Sequence, residues 1–312
     1  MIDILLATYN GDKYIGEQLG SIINQTYQDW IVYIRDDGSN DDTVSIIKSY
    51  TALYPDKFVF IDDSLPSGSA KANFLKLLQY SKSEYVMFCD QDDVWLNDKI
   101  ENTLKLMVQI ETEQDVMCPV LVHTDLTVVD SNLDVISNSF FDYQKLSKSK
   151  VKLANLLVQN NVTGCTVMVN RLLVDIATKE VSPKCLMHDW WFALFAQAYG
   201  KIAFLDKPTI LYRQHSSNQV GAKNSNGMAF ILNRLKNFKK IQEAIYDTYN
   251  QADGFYQACN EIEFHMPFDN LLILKKYCDL INKNKIVKIA TIIRYSFFKY
   301  GLSRILGQFL FC

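Results

Sequence analysis

Asp90, Asp92 and Asp93 follow directly on the apolar run Tyr85-Val86-Met87-Phe88-Cys89. Like charges crowded at the end of a buried strand repel one another unless a cation shares the site, and a hard divalent ion with oxygen ligands relieves that repulsion. A D-x-D pair can turn two carboxylates toward the same side of an extended chain. One can then hold Mg²⁺ or Mn²⁺ while the other bonds a ribose hydroxyl or the metal's water. The bland alternative is that these acids cap a helix beginning near Leu96. A second acidic string, Asp36-Asp37-Gly38-Ser39-Asn40-Asp41-Asp42-Thr43, also stands between an apolar run and a helical pattern. Ser39, Asp41 and Asp42 suit turn and capping roles. Asp36 leaves the strand first and could accept a hydrogen bond from a pyrimidine imide, and capping and binding are compatible.

Later in the chain, Asp189 opens the helical pattern His188-Asp189-Trp190-Trp191-Phe192, where an acid in the first turn is favoured by the helix dipole. Trp190 and Trp191 suit either a core or a stacking face for a sugar ring. His215 is either structural or a third ligand to a metal or diphosphate, and Arg213 could bind phosphate oxygens or pair with the acidic cluster.

These residues need elements to position them. Short apolar runs occur at 2–6, 31–34, 58–61, 85–89 and 120–122, separated by segments of helical spacing such as Ile15, Leu19, Ile22 and Ile23. Strand alternating with helix implies a mostly parallel sheet flanked by helices, with right-handed crossovers. In such a sheet ligands sit outside the carboxyl ends of the strands. Thr8-Tyr9-Asn10-Gly11, Asp36-Asp37-Gly38-Ser39 and Asp90-Gln91-Asp92-Asp93 all fall at such ends. Strands near 165–169, 202–205 and 210–212 and a helix over 188–199 are expected to complete the domain. Beyond Gly227 the pattern is helical to the end.

The chain has 312 residues, 32 basic against 35 acidic, for a formal net charge of -3, which points away from a nucleic-acid partner. From Leu280 to Cys312, however, six cations (Lys283, Lys285, Lys288, Arg294, Lys299, Arg304) meet no acid. Seven well-separated cysteines without a CxxC pair read as reduced thiols of a cytoplasmic protein. No signal peptide and no membrane-spanning run are expected.

Taken together, Ala7-Thr8-Tyr9-Asn10-Gly11, Gln25-Thr26-Tyr27, Asp36-Asp37-Gly38-Ser39, Phe88-Cys89-Asp90-Gln91-Asp92-Asp93-Val94-Trp95, Met187-His188-Asp189-Trp190-Trp191 and Tyr212-Arg213-Gln214-His215-Ser216-Ser217-Asn218 resemble a family of enzymes. They are similar to the family 2 inverting glycosyltransferases of GT-A fold, in the bacterial rhamnosyltransferase-like branch, over about residues 1–220. The resemblance implies a GT-A (Rossmann-like) α/β domain over 1–225 and a helical C-terminal region over 226–312. It implies that Thr8, Tyr9, Asn10 and Asp36 line the nucleotide, that Lys71 and Asn73 lie near base or diphosphate, and that Asp90 serves ribose or metal. Ser67-Gly68-Ser69 departs from the family's Asn-x-Gly ahead of Asn73. Asp92 and Asp93 would be metal ligands with His215, Arg213 would stand on the donor side, and Asp189 matches the general base. His188, Trp190 and Trp191 would face the acceptor, as would Gly164 and Cys165.

The implied reaction transfers a sugar from a nucleoside-diphosphate donor, best guessed as dTDP-L-rhamnose, to a saccharide acceptor that is lipid-linked. Mg²⁺ or Mn²⁺ would be the cofactor. The C-terminal region, apolar and cationic, is expected to touch the inner face of the cell membrane peripherally or to pack on its own domain or in a homodimer. A metal-dependent nucleotidyltransferase of similar fold and a non-catalytic nucleotide-sugar binding module stand as alternatives.

Overall fold

The computed structural model describes residues 1–63, 65–113, 117–148, 151–215 and 238–312. The chain opens with β1 (Ile2–Thr8), α1 (Ile15–Ile23), β2 (Trp30–Asp36), α2 (Thr43–Leu53), β3 (Phe58–Ile61), α3 (Ala70–Leu77) and β4 (Tyr85–Asp90). It continues through β5 (Val94–Trp95), α4 (Lys99–Thr112), β6 (Val120–Val129), β7 (Val135–Ser137), α5 (Phe140–Gln144) and α6 (Leu153–Leu156). Then come β8 (Met168–Asn170), α7 (Arg171–Thr178), α8 (His188–Tyr199), β9 (Lys201–Arg213), α9 (Phe238–Cys259), α10 (Phe268–Cys278), α11 (Lys285–Tyr295) and α12 (Leu302–Phe311).

Nine strands form one sheet in the order β3-β2-β1-β4-β8-β6-β9-β5, with β7 paired to β6. The pairs β1–β2, β1–β4 and β2–β3 are parallel, as the strand-helix alternation predicts. Beyond β4 the pairing turns antiparallel: β8 runs against both β4 and β6, and β5 against β9. A parallel neighbour needs a crossover, and each step from β1 to β4 carries one helix. One 13-residue strand, β9, replaces the two expected at 202–205 and 210–212. The short strand near residue 168 begins only after a 3-10 turn over Gly164–Thr166.

Two compact units divide the chain. The first contains Met1–Phe140, Thr163–Asp175 and Ala203–Ala222; the second contains Phe141–Val162, Ile176–Ile202 and Lys223–Cys312. The expected boundary at 225/226 lies outside the described residues, and 141–162 and 176–202 group with the C-terminal helices.

In the first unit β1 and β4 are apolar and buried almost throughout, as strands covered on both faces should be. The one acid inside β1, Asp3, accepts hydrogen bonds from the hydroxyls of Ser81 and Ser83 and the amides of Lys82 and Ser83 at 2.6–2.8 Å. That saturation makes a buried carboxylate tolerable. In the second unit Trp191 and Phe195 of α8 meet Phe255 of α9 edge to face. A further aromatic stack joins Tyr249, Tyr277 and Phe297. Among the described residues no helix is long and apolar enough to cross a membrane.

His123, on β6, is fully buried with its ring 5.0 Å from that of Phe204, and burial pushes its imidazole down to about 3. The unfolded chain takes up a proton below about pH 6.5 and the folded chain does not until near pH 3. Stability therefore falls as pH drops through that window, by about 1.4 kcal/mol per pH unit for this residue. Between pH 7 and 5 the share is about 2 kcal/mol, and His123→Leu should lose that much less than the parent over the same interval. Urea unfolding at the two pH values measures it; equal acid losses would show that the imidazole does not resist protonation in the fold.

Candidate active site

Three loops at the carboxyl ends of β1, β2 and β4 are tied into one surface by side chains. The Asp36 carboxylate, at the end of β2, accepts from the Thr8 hydroxyl (2.9 Å), the Ser39 hydroxyl (2.6 Å) and the amides of Gly38 and Ser39 (3.0 and 2.7 Å). Asn10, held at φ 47°, accepts from the Asn40 amide at 2.9 Å, and its own amide donates to the Ser39 hydroxyl at 2.7 Å. Asp36 and Asn10 thus do the capping and turn work that such residues suit, and they fix where the remaining polar atoms of the surface stand.

Gln91, the middle residue of D-x-D, completes this surface. Its amide brackets Tyr9, accepting from the Tyr9 N–H and donating to the Tyr9 carbonyl, both at 2.8 Å. The side chain lies so close to Gly11 that a Cβ there would stand 2.3 Å from the Gln91 Oε1. A side chain at Gly11 would displace the Gln91 amide from its place beside Tyr9. The Tyr9 side chain stays 54 % exposed, presenting a ring edge to solvent at the end of β1.

One layer beneath, Arg35 is completely buried. Its guanidinium grips both oxygens of Asp63 at 2.9 Å, donates to Asn73 Oδ1 at 3.0 Å and to the Leu65 carbonyl, and faces Asp37. Asn73 returns a bond to the Arg35 carbonyl at 3.1 Å. Its amide is thus engaged with Arg35 on both sides. Lys71 stands half-buried on the first turn of α3. Burial would raise Asp37, yet hydrogen bonds from Ser67, Gly68 and Arg35 hold its carboxyl below the usual range.

The acidic cluster itself divides in two. Asp92 is half-buried and its Oδ2 lies 2.8 Å from His215 Nε2, the His215 ring in turn resting 4.9 Å from Tyr14. Asp93 is fully buried and accepts the Arg213 amide at 3.1 Å. Burial first, then the neighbouring Asp92 and Asp90, raise its carboxyl well above the ordinary range, while the Arg213 amide works the other way. One ligand atom from each of Asp90, Asp93 and Cys165 lies within 4.8 Å of the others. That set is two carboxylates and a thiol, and the Asp92–His215 contact is not part of it; carboxylate oxygens are the donors that suit Mg²⁺ or Mn²⁺.

Arg213 was expected on the donor side. Instead its guanidinium, 2 % exposed, donates to the Asp92 carbonyl (3.0 Å), the Ser131 carbonyl (2.7 Å) and the Glu17 carboxylate, and stacks 4.5 Å over the Tyr14 ring. These contacts clamp the acidic loop to its surroundings and support the alternative role, pairing with the cluster. Lys99, at the start of α4, was not expected at all. It is fully buried, its ammonium lies 4.7 Å over the Trp95 ring without a hydrogen-bond partner, and it shares the electrostatic field of Asp93. Burial pushes it down to about 8. A Lys four residues after a Trp, just past an acidic run, was the available signal. For Arg35 it was a cation inside an otherwise apolar strand.

In the second unit Asp189 is half-buried in the first turn of α8, and one carboxylate oxygen accepts the Trp190 amide at 2.6 Å. The neighbours expected at an acceptor diverge. Trp191 is fully buried and donates to the Ala177 carbonyl at 2.9 Å, and His188 is 3 % exposed with its imidazole pushed down to about 3 by burial. Burial withdraws both from direct contact with a sugar. Trp190 is only half-buried, its indole N–H bonded to the Leu156 carbonyl at 2.6 Å. Cys165 is buried behind the acidic cluster and Ser216–Asn218 lie outside the described residues. Two acids that could compete with Asp189 are occupied structurally. Asp125 holds Leu126, Ser139 and Phe140, and Asp130 holds the turn through Asn132 and Asp134.

The chain matches the family described as Glycosyl transferase family 2 over residues 3–173. It is 31% identical over 233 residues to the dTDP-rhamnosyl transferase RfbG of Shigella flexneri, covering 70% of this chain and 74% of that one. It is 25% identical over 224 residues to the putative teichuronic acid biosynthesis glycosyltransferase TuaG of Bacillus subtilis, covering 70% and 82%. Among solved structures, S. aureus TarS 1-349 in complex with UDP superposes with a TM-score of 0.53 at 15% identity, covering 89% of this chain and 69% of that one. The mannosyltransferase PcManGT from Pyrobaculum calidifontis, in complex with GDP-Man and Mn²⁺, gives 0.50 at 16% identity, covering 95% and 74%.

If Lys99 and Asp93 compensate one another's charge, their effects on stability are not additive. Lys99→Met should cost about 1–3 kcal/mol by removing a buried cation from beside the acids, and Asp93→Asn in that background should recover part of the loss. Urea unfolding of the two single variants and the double variant completes the cycle. Strict additivity would separate the two residues energetically.

Proposed function

This chain belongs to glycosyl transferase family 2, acting on nucleotide sugars, and from that premise we propose that it moves L-rhamnose from dTDP-L-rhamnose to a hydroxyl of a lipid-linked saccharide at the cytoplasmic face of the cell membrane. The family match sets aside the nucleotidyltransferase alternative. The observation that carries the reading is the assembly, at the ends of β1, β2 and β4, of Thr8, Asp36, Asp90 and Asp92 with His215. The rhamnosyl donor rests on the similarity to the dTDP-rhamnosyl transferase RfbG, and the polysaccharide acceptor on the similarity to TuaG, a putative teichuronic acid biosynthesis glycosyltransferase.

In this reading the acceptor hydroxyl attacks the anomeric carbon in line as the bond to the diphosphate oxygen breaks. The nucleoside diphosphate leaves with the bonding electrons, the hydroxyl proton passes to Asp189, and the anomeric configuration inverts. Residues 1–225 carry the catalysis. Thr8, Tyr9, Asn10 and Asp36 orient the nucleotide, and Lys71 supplies positive charge nearby. A bound Mg²⁺ or Mn²⁺, held by Asp92 and His215 with Asp90 or Asp93 within reach of the same cluster, would offset charge on the leaving group. Trp190 offers the acceptor an aromatic face.

Two measurements test this. Titration calorimetry of dTDP with Mn²⁺ should show tight binding that weakens at least about tenfold in EDTA or in Asp92→Ala, because carboxylates at one strand end repel a diphosphate until a cation intervenes. Equal affinities would remove the metal from the account. Separately, Asp189→Asn keeps a hydrogen-bond acceptor in the first turn of α8 but cannot take a proton. It should melt within a few degrees of the parent and bind donor, yet transfer sugar roughly 10² to 10⁴-fold more slowly. Transfer within about threefold of the parent, with chemistry rate-limiting, would place the base elsewhere.

A further inference from the structure

We propose that α11 and α12 form a docking surface for anionic lipid, with a defined apolar face rather than a diffusely greasy tail. Asn284 caps α11 through the Val287 amide at 3.0 Å, and Ser296, at φ 58°, ends it. Gly301, at φ 83°, then opens α12. Gln308 returns to bond the Phe297 carbonyl and the Lys299 amide, and the Phe298 and Phe309 rings meet edge to face at 6.2 Å. Lys285 Nζ reaches the Leu310 carbonyl at 2.7 Å. The start of α11 therefore lies beside the end of α12.

Their inner faces are satisfied: Ile292, Phe297 and Gln308 are buried. Their outer faces are not polar. Leu302, Leu306 and Leu310 repeat every four residues along α12 and are 81, 63 and 58 % exposed. On α11, Ile286 is 81 % exposed and Ile293, two turns on, 56 %. A stripe at this spacing lies along one side of each helix, and exposed leucines and isoleucines in register are an interaction surface rather than scattered surface apolars.

Charge selects the partner. Between Leu280 and Cys312 there are six cations and no acid. Lys288 is turned inward over Tyr246 and Tyr249, which leaves Lys283, Lys285 and Arg294 exposed beside the apolar stripe and Lys299 and Arg304 half-buried. An apolar stripe flanked by uncompensated cations matches an anionic bilayer surface, where leucines enter the acyl boundary and ammonium and guanidinium groups meet phosphates. The same cations would face one another unfavourably across a symmetric contact with a second copy. This deepens the proposed lipid-linked acceptor by naming the surface that would bring the enzyme to it.

Flotation with vesicles of about one-third phosphatidylglycerol, and with neutral phosphatidylcholine alone, tests the surface on the full chain. The parent should float with the anionic vesicles at least about fivefold more than with neutral ones, and should be released as salt rises from about 0.1 to 0.5 M. Combined Leu302→Gln, Leu306→Gln and Leu310→Gln should abolish flotation while leaving melting temperature and donor hydrolysis without vesicles unchanged. Should that variant not fold, Lys283→Glu with Arg294→Glu decides the matter, with the same loss expected. The inference is overturned if the parent stays soluble on anionic vesicles, if either variant floats as the parent does, or if sedimentation shows the leucines holding a dimer that does not float. Donor hydrolysis without vesicles reads the transferase independently, so failure of one reading is distinct from failure of the other.

Discussion

Carboxylates brought together at the end of β4 are the constraint to which the rest of the first unit answers. A strand that ends in Asp90, with Asp92 and Asp93 on the next turn, concentrates negative charge where the sheet is apolar and the dielectric low. Left alone, such charges would push the loop outward or pick up protons. The fold counters with Arg213 brought in on β9, with Lys99 on the first turn of α4, and with the peptide N–H of residue 213 aimed at Asp93. The pairing of β5 with β9 is what delivers them, since Val94 opposes Leu211 in the register. An antiparallel strand in the second half of the sheet is thus part of the solution to a charge problem created by a parallel strand in the first half.

The loops above the cluster follow the same economy of donors. Asp36 saturates four donors from three neighbouring residues, and in doing so sets the path of the loop after β2 against the end of β1. Gln91 does for β1 and β4 what Asp36 does for β1 and β2. Because its amide engages both the N–H and the carbonyl of Tyr9, the D-x-D segment and the loop after β1 move as one piece. A side chain at Gly11 would pry them apart. Rigid positioning of this kind is what a site needs if its polar atoms are to stand at fixed distances from a ligand.

Much of this was legible in the residues. Apolar runs of three to five residues followed by polar clusters marked the parallel half of the sheet and the edge where chemistry gathers, because buried parallel strands leave a plain period-free signal. The antiparallel half was less legible. β9 carries Asp206, Lys207 and Pro208 in its middle, so a run of thirteen residues reads as two short strands. Residue by residue, the outcome depended on side-chain commitments that spacing cannot reveal. In the first unit Thr8 bonds Asp36, and Asp92 bonds His215. Asn73 and Arg213 are engaged with protein groups, as the buried Arg35 and the Glu17 carboxylate require. Of two adjacent tryptophans, helical geometry turns Trp191 into the core and leaves Trp190 nearer the surface. Nothing in the order Trp-Trp says which is which.

A count of charge around the cluster links structure to chemistry. With Asp93 ionised, the four carboxylates of Asp90, Asp92, Asp93 and Glu17 face two internal cations, Lys99 and Arg213, and two negative charges remain. With Asp93 protonated, as burial and its acidic neighbours favour, one remains. In either state the cluster is anionic, and Asp90, Asp92 and His215 are half-buried members that a solvent ion can reach. The internal cations are therefore sufficient to let the loop fold and insufficient to neutralise it. A site so arranged holds its shape before any ligand arrives, yet still repels a diphosphate by itself. Adding a third fixed cation would bring the cluster close to neutrality, whereas removing Lys99 would take away a buried cation that lies in the field of Asp93. The positions of Lys99 and Arg213, one beneath the cluster and one clamping its backbone, set the charge that is left over for an incoming ion.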